Sequence, residues 1–408
     1  MGFWNMKRTA VVVPEYNEKS RSNLEGRLDY FAWLADTYKD FLDVIIIDDA
    51  STDGSKEELS DYVERNTPAF KAVFMSKNGN KIGAIEKAVD TAPDYIDTVL
   101  LTDFDSSIPE ESMAHFDDMV DSLNSDSGLG GFALRVDGEN TDTLLGYIQN
   151  LEYTLGRAFD GIARKERKTR CIAGAGGIWK RDVLEEIFPE HSGRHNGDDM
   201  ELTTMAMRHG YGLTNFSQFV INTKTPEDIM TLHKQRVRWE LGALETYTKE
   251  RGFFAKTALS ALKLKRFGIL TAIQMGVFAA LPITEYTGVS SGIDKSWKYF
   301  ALYYGTDLAF LSAMAVMARK EIKKDAQFFA TMPLMPLYRA ATIYPSRSRA
   351  IYNHTKNSIN DALLYAYVNQ PDIVGGVTKT VKNIAGHVLP VSKKAATALA
   401  NSLYMTFR

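Results

Sequence analysis

The apolar positions of this chain change period along its length. In the first part, short β-branched runs alternate with amphipathic stretches. TAVVVPEYNE, FLDVIIIDDAS, FKAVFMS and YIDTVLLTDFDSS read as four strands, the first ending at Pro14. Between them lie a helical stretch over about residues 20–40, DGSKEELSDYVERN with Ser55 ahead of first-turn acids, and NKIGAIEKAVDTA. Near-continuous apolar strands predict burial on both faces, and strands alternating with helices predict an α/β fold with a mostly parallel sheet flanked by helices. In such sheets ligands gather at the carboxyl ends of strands. The acids Asp48, Asp49, Asp103 and Asp105 follow two of these strands.

The pattern is mixed from about residue 130 to 250. It holds a strand candidate, GLGGFALRV, a helix around 143–165, and the Gly-rich stretch CIAGAGGIWKR. HNGDDMELTTMAMRHGYG and TPEDIMTLHKQRVRWELGALETY follow. The last third changes character. Phe267 to Thr284 is a charge-free apolar run of about 18 residues, the lower limit for a membrane span. Tyr299 to Ala318 is a second run interrupted by Asp307, and FFATMPLMPLYRAATIYP a third, broken by Pro333 and Pro336. Trp297, Tyr299 and Phe300, with Arg319, Lys320, Lys323 and Lys324 beyond, have the make-up of an interfacial belt with basic flanks. After Asp372 the tail carries Lys379, Lys382, Lys393, Lys394 and Arg408 among apolar residues and no acids, as in a basic amphipathic helix on an anionic surface. A buried helical bundle is the competing reading, because the mean hydropathy of −0.22 is low for a chain with several spans.

Composition narrows the picture modestly. A chain of 408 residues can bury a large core and form more than one structural unit. A formal charge of −3 offers no general attraction for nucleic acid, so none is expected as a partner. Cys171 is the single cysteine, which excludes an internal disulfide and a cysteine-based zinc cluster. The sequence enters its first strand with no signal-peptide core or membrane span ahead of it.

Four polar clusters occur in order: VVVPEYNE leading to VIIIDDASTDGS, then LLTDFDSS, then GDDMEL, then QRVRW. Each has a plain structural reading: DFD as an Asp-rich turn, Asp-Asp as a helix cap, QRVRW as a solvated helix face. Together, over about residues 8–250, they resemble glycosyltransferase family 2, the GT-A-type sugar-nucleotide transferases, in the branch with the QxxRW motif that includes cellulose, chitin and hyaluronan synthases. TPEDIMTLHKQRVRWELG is the stretch that most resembles that branch.

The resemblance implies a role for each cluster. Asp105 would hold a divalent cation, Mn2+ or Mg2+, with Asp103 supporting the metal or contacting the ribose. Carboxylates suit a hard cation that neutralises a diphosphate leaving group. Asp48 and Asp49 would read the base, with Pro14, Glu15 and Tyr16 lining the nucleoside pocket. Asp199 would be the general base for the acceptor hydroxyl, with Asp198 as its neighbour and runner-up. Gln235 and Arg238 share a helix face, Arg238 suited to the diphosphate and Trp239 to stacking on an acceptor sugar. Arg236 points elsewhere on the helix, and His233 is a weaker candidate for the metal or diphosphate. Gly176 and Gly177 in the Gly-rich stretch would let backbone approach the acceptor; a tight bend in the sheet is the alternative.

The expected activity is inverting, metal-dependent transfer from a nucleotide-sugar, with UDP expected over GDP or dTDP, to a hydroxyl on a saccharide, lipid or protein. Polymerising members of the branch carry more membrane spans, so a non-polymerising transferase adding one or a few sugars is the alternative, and an inactive scaffold homologue a third. The expected organisation is a GT-A catalytic domain over residues 1–255, a hydrophobic helical region over 256–350 that spans or lies on a membrane, and basic amphipathic helices over 351–408. The expected location is membrane-associated with a cytoplasm-facing active site, the alternative soluble and cytoplasmic.

Overall fold

Eight strands form one sheet in the order β3-β2-β1-β4-β7-β6-β8-β5 in the computed structural model. The structure describes residues 8–20, 23–65, 68–157, 164–169, 171–193, 196–254, 293–317, 322 and 326–369. Strands β1 (Arg8–Glu15), β2 (Leu42–Asp48), β3 (Phe70–Phe74) and β4 (Ile96–Leu101) are parallel neighbours. Their exits therefore lie along one edge of the sheet. Strand β7 (Gly177–Lys180) runs antiparallel between β4 and β6 (Leu129–Gly138), β8 (Gly212–Thr223) is parallel to β6, and the short β5 (Ser106–Ser107) is antiparallel to β8. The mostly parallel expectation holds for the first half of the sheet; the second half is mixed.

Alternation along β1 explains its unbroken apolar run. Val11 and Val13 enter a core with Leu28, Phe31 and Phe116 on one face. Ala10 and Val12 enter a second core with Ile85, Leu184 and Met205 on the other. Helices Leu24–Thr37 and Phe116–Ser125 supply the first core; Asn80–Thr91, Arg181–Ile187 and Asp198–Arg208 supply the second. A third core joins Ile148 and Leu151, from the helix Leu144–Gly156, to Leu232 of the helix Ile229–Lys249 and to Phe310, Met335 and Tyr338.

By compactness the chain divides into Met1–Ser348 and Arg349–Arg408. Toward the C-terminus come the helices Ile293–Met317, Ala326–Thr331, Met335–Ala341 and Ile343–Asn369. Among the described residues no helix is long and apolar enough to cross a membrane. The second apolar run, up to Met317, falls within Ile293–Met317, where Asp307 is fully buried and pairs with Arg339 at 3.2 Å. The run Phe267 to Thr284, Ala318, the basic residues Arg319, Lys320, Lys323 and Lys324, and the tail after Asp372 lie outside the described residues.

Candidate active site

The edge where β1, β2 and β4 end gathers the acids. Register pairs Glu15 with Asp48 across β1 and β2. Both are buried, and Ser51 links them: its N–H donates to Asp48 Oδ1 at 3.2 Å and its hydroxyl to Glu15 Oε2 at 3.1 Å. Burial, together with the Asp48 carboxyl hydrogen-bonded beside it, pushes the Glu15 carboxyl up to about 7. Asp49, also buried, accepts from the Gly79 N–H at 2.6 Å and so ties the β2 exit to the segment after β3. Burial raises its carboxyl above the usual range, with Asp48 adding to the effect and the Gly79 N–H opposing it. Asn17, Ala50 and Asn80 take positive φ values of 56°, 62° and 60° at the exits of β1 and β2 and after β3. Non-glycine residues held there cost on the order of 1 kcal/mol each, strain that the packed strands beneath can sustain. Pro14 is half-buried beside this cluster, and Tyr16 is 36% exposed.

The DFD segment is both a turn and a site. Ser106 N–H donates to Asp103 O at 3.0 Å, closing the turn, and Thr102 N–H donates to Val12 O at 3.2 Å, anchoring it to β1. Arg27 on the helix Leu24–Thr37 holds the loop from beneath, donating through Nε to Phe104 O at 2.7 Å and through its terminal nitrogen to Ser106 O. Asp103 is ion-paired with Lys81. Asp105 is solvent-exposed, yet the protein around it and then the carboxylates of Asp103 and Glu18 push it up to about 6. Among the described residues no three His, Cys, Asp or Glu side chains converge to hold a metal by themselves. The donor set at Asp103 and Asp105, two hard carboxylates one residue apart, fits a hard divalent cation that takes its remaining oxygens from a bound ligand.

The helix Asp198–Arg208 brings the GDD acids to the same edge. Gly197, not either Asp, is its N-cap, in the left-handed region at φ 64°. The cap reading of Asp198 or Asp199 is thus corrected: both sit in the first turn, which leaves their carboxylates to other partners. Asp199 accepts from the Met200 N–H at 2.7 Å and from the Gly174 N–H at 3.3 Å. Desolvation by its surroundings, then the neighbouring Asp198, raise the Asp199 carboxyl, and Lys81 opposes them. Lys81 lies among Asp103, Asp198 and Asp199; burial works against its charge, but the three carboxylates outweigh burial and raise it. One ammonium therefore joins the DFD acids to the GDD acids.

The helix Ile229–Lys249, capped by Asp228 through bonds from the Met230 and Thr231 N–H groups, presents two flanks. Arg238, Gly242 and Lys249 lie along one. Gly242 abuts Gly197 so closely that a methyl on Gly197 would come within 2.6 Å of the Gly242 Cα, and Lys249 pairs with Glu201. This backbone contact sets the QRVRW helix against the start of the Asp198–Arg208 helix. Arg238, one turn before Gly242, is exposed and makes no hydrogen bond or ion pair among the described residues. Gln235 is half-buried with Oε1 unpartnered, and Trp239 is 41% exposed. His233, Arg236 and Glu240 lie along the other flank. His233 Nδ1 is 2.9 Å from Ser346 Oγ, on the flank away from Gly197, so the idea of His233 as a metal or diphosphate contact is not carried further.

The Gly-rich stretch divides differently from its reading in the sequence. Gly176 and Gly177 are buried, and methyls there would meet Val136 Cγ2 at 2.6 Å and Ile172 Cγ2 at 2.2 Å. They serve close packing where β7 begins and do not line an open acceptor surface. Gly174 is the glycine at the acids: a methyl there would stand 2.8 Å from Lys81 Nζ. Sequence reading missed Gly174, Arg27 and Lys81. Lys81 carried a signal, since a cation in the first turn of the acid-free start of the helix Asn80–Thr91 opposes the helix dipole unless carboxylates face it. Arg27 carried none, its partners being backbone carbonyls 77 and 79 residues away.

Residues 10–188 match the family model Glycosyl transferase family 2. A poly-beta-1,6-N-acetyl-D-glucosamine synthase of Staphylococcus epidermidis is 22% identical over 278 residues, 67% of this chain and 64% of the relative. Its namesake in Staphylococcus aureus is 24% identical over 229 residues, 55% of this chain and 51% of the relative. The chain thus matches less than two thirds of the length of these curated relatives. Among solved structures, a mannosyltransferase from Pyrobaculum calidifontis in complex with GDP-Man and Mn2+ superposes with a TM-score of 0.53 at 20% identity, covering 86% of this chain and 89% of that one. That likeness concerns the fold, the GT-A-type sheet flanked by helices. Family match and fold agree: residues 10–188 are similar in sequence to glycosyl transferase family 2, and the chain shares the sheet-and-helix fold of a nucleotide-sugar-bound mannosyltransferase.

Proposed function

We propose that this protein is an inverting, metal-dependent glycosyltransferase that moves a sugar from a UDP-sugar to a saccharide hydroxyl, in the manner of polysaccharide synthases. The observation that carries the reading is the convergence of the DFD and GDD acids on Lys81, beside the buried Glu15, Asp48 and Asp49. Glu15, Asp48 and Asp49, with Pro14 and Tyr16, form the nucleoside end of the site. Asp105 and Asp103 hold a divalent cation, Mn2+ or Mg2+, which when bound neutralises the diphosphate. Arg238, exposed and without an anionic partner, supplies a second positive charge to the leaving group. Asp199 takes the proton of the attacking hydroxyl; its raised proton affinity suits a general base, and Asp198 supports it. With Asp199 as the base and Asp103 and Asp105 given to the cation, the reaction we propose is a single displacement with inversion. Trp239, exposed on the same helix as Arg238, offers a flat face to an acceptor sugar ring.

The likeness to poly-beta-1,6-N-acetyl-D-glucosamine synthases supports a saccharide acceptor and an N-acetylglucosamine donor. Exposed Phe329, Leu334 and Leu337, close in sequence to the basic Arg319, Lys320, Lys323 and Lys324, support attachment to a membrane surface with the active site facing the cytoplasm. The deciding experiment incubates the full chain with UDP-, GDP- and dTDP-sugars, with and without Mn2+, and follows nucleotide release and sugar transfer. The reading expects UDP-N-acetylglucosamine to be used only with the metal. Turnover unaffected by chelation would remove the role given to Asp105 and Asp103.

A further inference from the structure

Arg236 is one of the QRVRW residues to which the reaction above gives no task, yet it is the most enclosed of the five. Its guanidinium donates to Glu152 Oε2 at 2.9 Å, and its side chain is only 8% exposed. The same Glu152 oxygen accepts from the Tyr338 hydroxyl at 2.9 Å. Burial and Glu152 hold the Tyr338 phenol protonated well above its ordinary range, so it remains a donor. The guanidinium carbon lies 4.3 Å from the centroid of Trp239 and 5.9 Å from that of Tyr153.

A buried ion pair seldom adds net stability over apolar residues of the same volume, so its consequence here is geometric. The pair with Glu152 fixes a planar cation, and the cation covers one side of an indole that remains 41% exposed. A long side chain on a helix surface loses rotamer freedom when an aromatic ring stacks on it, and the ring loses freedom in turn. Tyr338 belongs to the helix Met335–Ala341, far outside residues 10–188, and its bond is therefore a tether from the C-terminal helical region to the domain.

We propose that Arg236, oriented by Glu152 and Tyr338, is a positioning residue that sets the plane of the Trp239 indole and thereby the acceptor platform. The acceptor half of this inference rests on the reading of Trp239 as the stacking residue given above; the orientation of Trp239 by Arg236 does not. The acceptor site thus includes a contribution from helices that lie beyond the matched domain.

The test uses the full chain as Arg236→Met, Arg236→Lys, Glu152→Gln and Tyr338→Phe, each checked for wild-type far-UV dichroism. Trp239 is isolated among the five tryptophans by subtracting the Trp239→Phe signal in each background. Arg236→Met is expected to raise acrylamide quenching of Trp239 roughly twofold, with Arg236→Lys between it and wild type, because the loss is of a covering plane and not of charge alone. With UDP-N-acetylglucosamine, Mn2+ and a β-1,6-linked N-acetylglucosamine pentasaccharide, transfer relative to donor hydrolysis is expected to fall on the order of tenfold in Arg236→Met, through the KM for the pentasaccharide. Glu152→Gln and Tyr338→Phe are expected to follow in the same direction with smaller changes. Unaltered Trp239 quenching in folded Arg236→Met overturns the proposal whatever the activity. So does a parallel fall of hydrolysis and transfer, which would mean that Arg236 merely supports the fold. Wild-type protein that neither hydrolyses nor transfers would defeat the functional reading instead, and the quenching series would still decide on Arg236.

Discussion

The donor side and the acceptor side of the proposed site are held by different means. On the donor side, Glu15, Asp48, Asp49, Asp103 and Asp105 sit at strand exits, and backbone groups fix them: the N–H groups of Ser51 and Gly79, the turn closed by Ser106, and two carbonyls gripped by Arg27. On the acceptor side, the QRVRW helix is held by side chains and by one backbone approach: Arg236 to Glu152, His233 to Ser346, Arg347 to Glu240, and Gly242 against Gly197. Backbone-fixed acids tolerate change around them because parallel strand pairing positions them. A helix positioned partly by distant side chains depends most on those that are buried, such as Arg236 and Glu152. The donor side is therefore the more rigid and self-contained half, and the acceptor side is where specificity can be altered without rebuilding the sheet.

The largest expected effect is chemical and falls where the two sides meet. Asp199→Asn keeps the Gly174 and Met200 contacts in outline but removes the base, so kcat for transfer is expected to drop roughly 100- to 10,000-fold with donor KM little changed. Steady-state kinetics at saturating donor check this. Next in size is Gly197→Ala, which adds a methyl both at positive φ and against the Gly242 backbone. It is expected to cost about 1–3 kcal/mol in urea denaturation and to displace the QRVRW helix, lowering transfer more than donor binding.

A pH series separates the donor side further. The Glu15 carboxyl is raised from 4.5 to about 7 in the folded protein, so its stabilising contribution is present below the unfolded value and is lost as pH rises through about 7. Wild-type stability is therefore expected to fall across that window, on the order of 1 kcal/mol per pH unit, and Glu15→Gln to flatten the slope. Urea midpoints for both proteins between pH 4.5 and 8 measure it; a wild-type slope matching that of the variant contradicts the assignment. The smallest effect belongs to the rim of the acceptor side. Arg347→Met removes the bidentate pair with Glu240, whose Arg347 side chain is 45% exposed, and is expected to change thermal stability by ~0.5 kcal/mol or less.

The amino-acid order by itself determined where the acids Asp48, Asp49, Asp103 and Asp105 fall along the chain, just past apolar strands. VVVPE, VIIIDD and VLLTDFD each join an apolar run to an acid; the runs fill two cores as central strands, and their parallel pairing puts the exits on one edge. Hydrophobic period is a local property, so it is legible without the fold. Tertiary structure alone decided what crosses between elements. It put Lys81 between Asp103 and the GDD acids, gave the cap of the Asp198–Arg208 helix to Gly197, turned Gly176 and Gly177 into packing contacts, and stacked Arg236 on Trp239 under Tyr338. Tyr338 and Glu152 are 186 residues apart in the chain. No periodicity encodes such a pair, because the bond exists only after three helices have packed and excluded water from it.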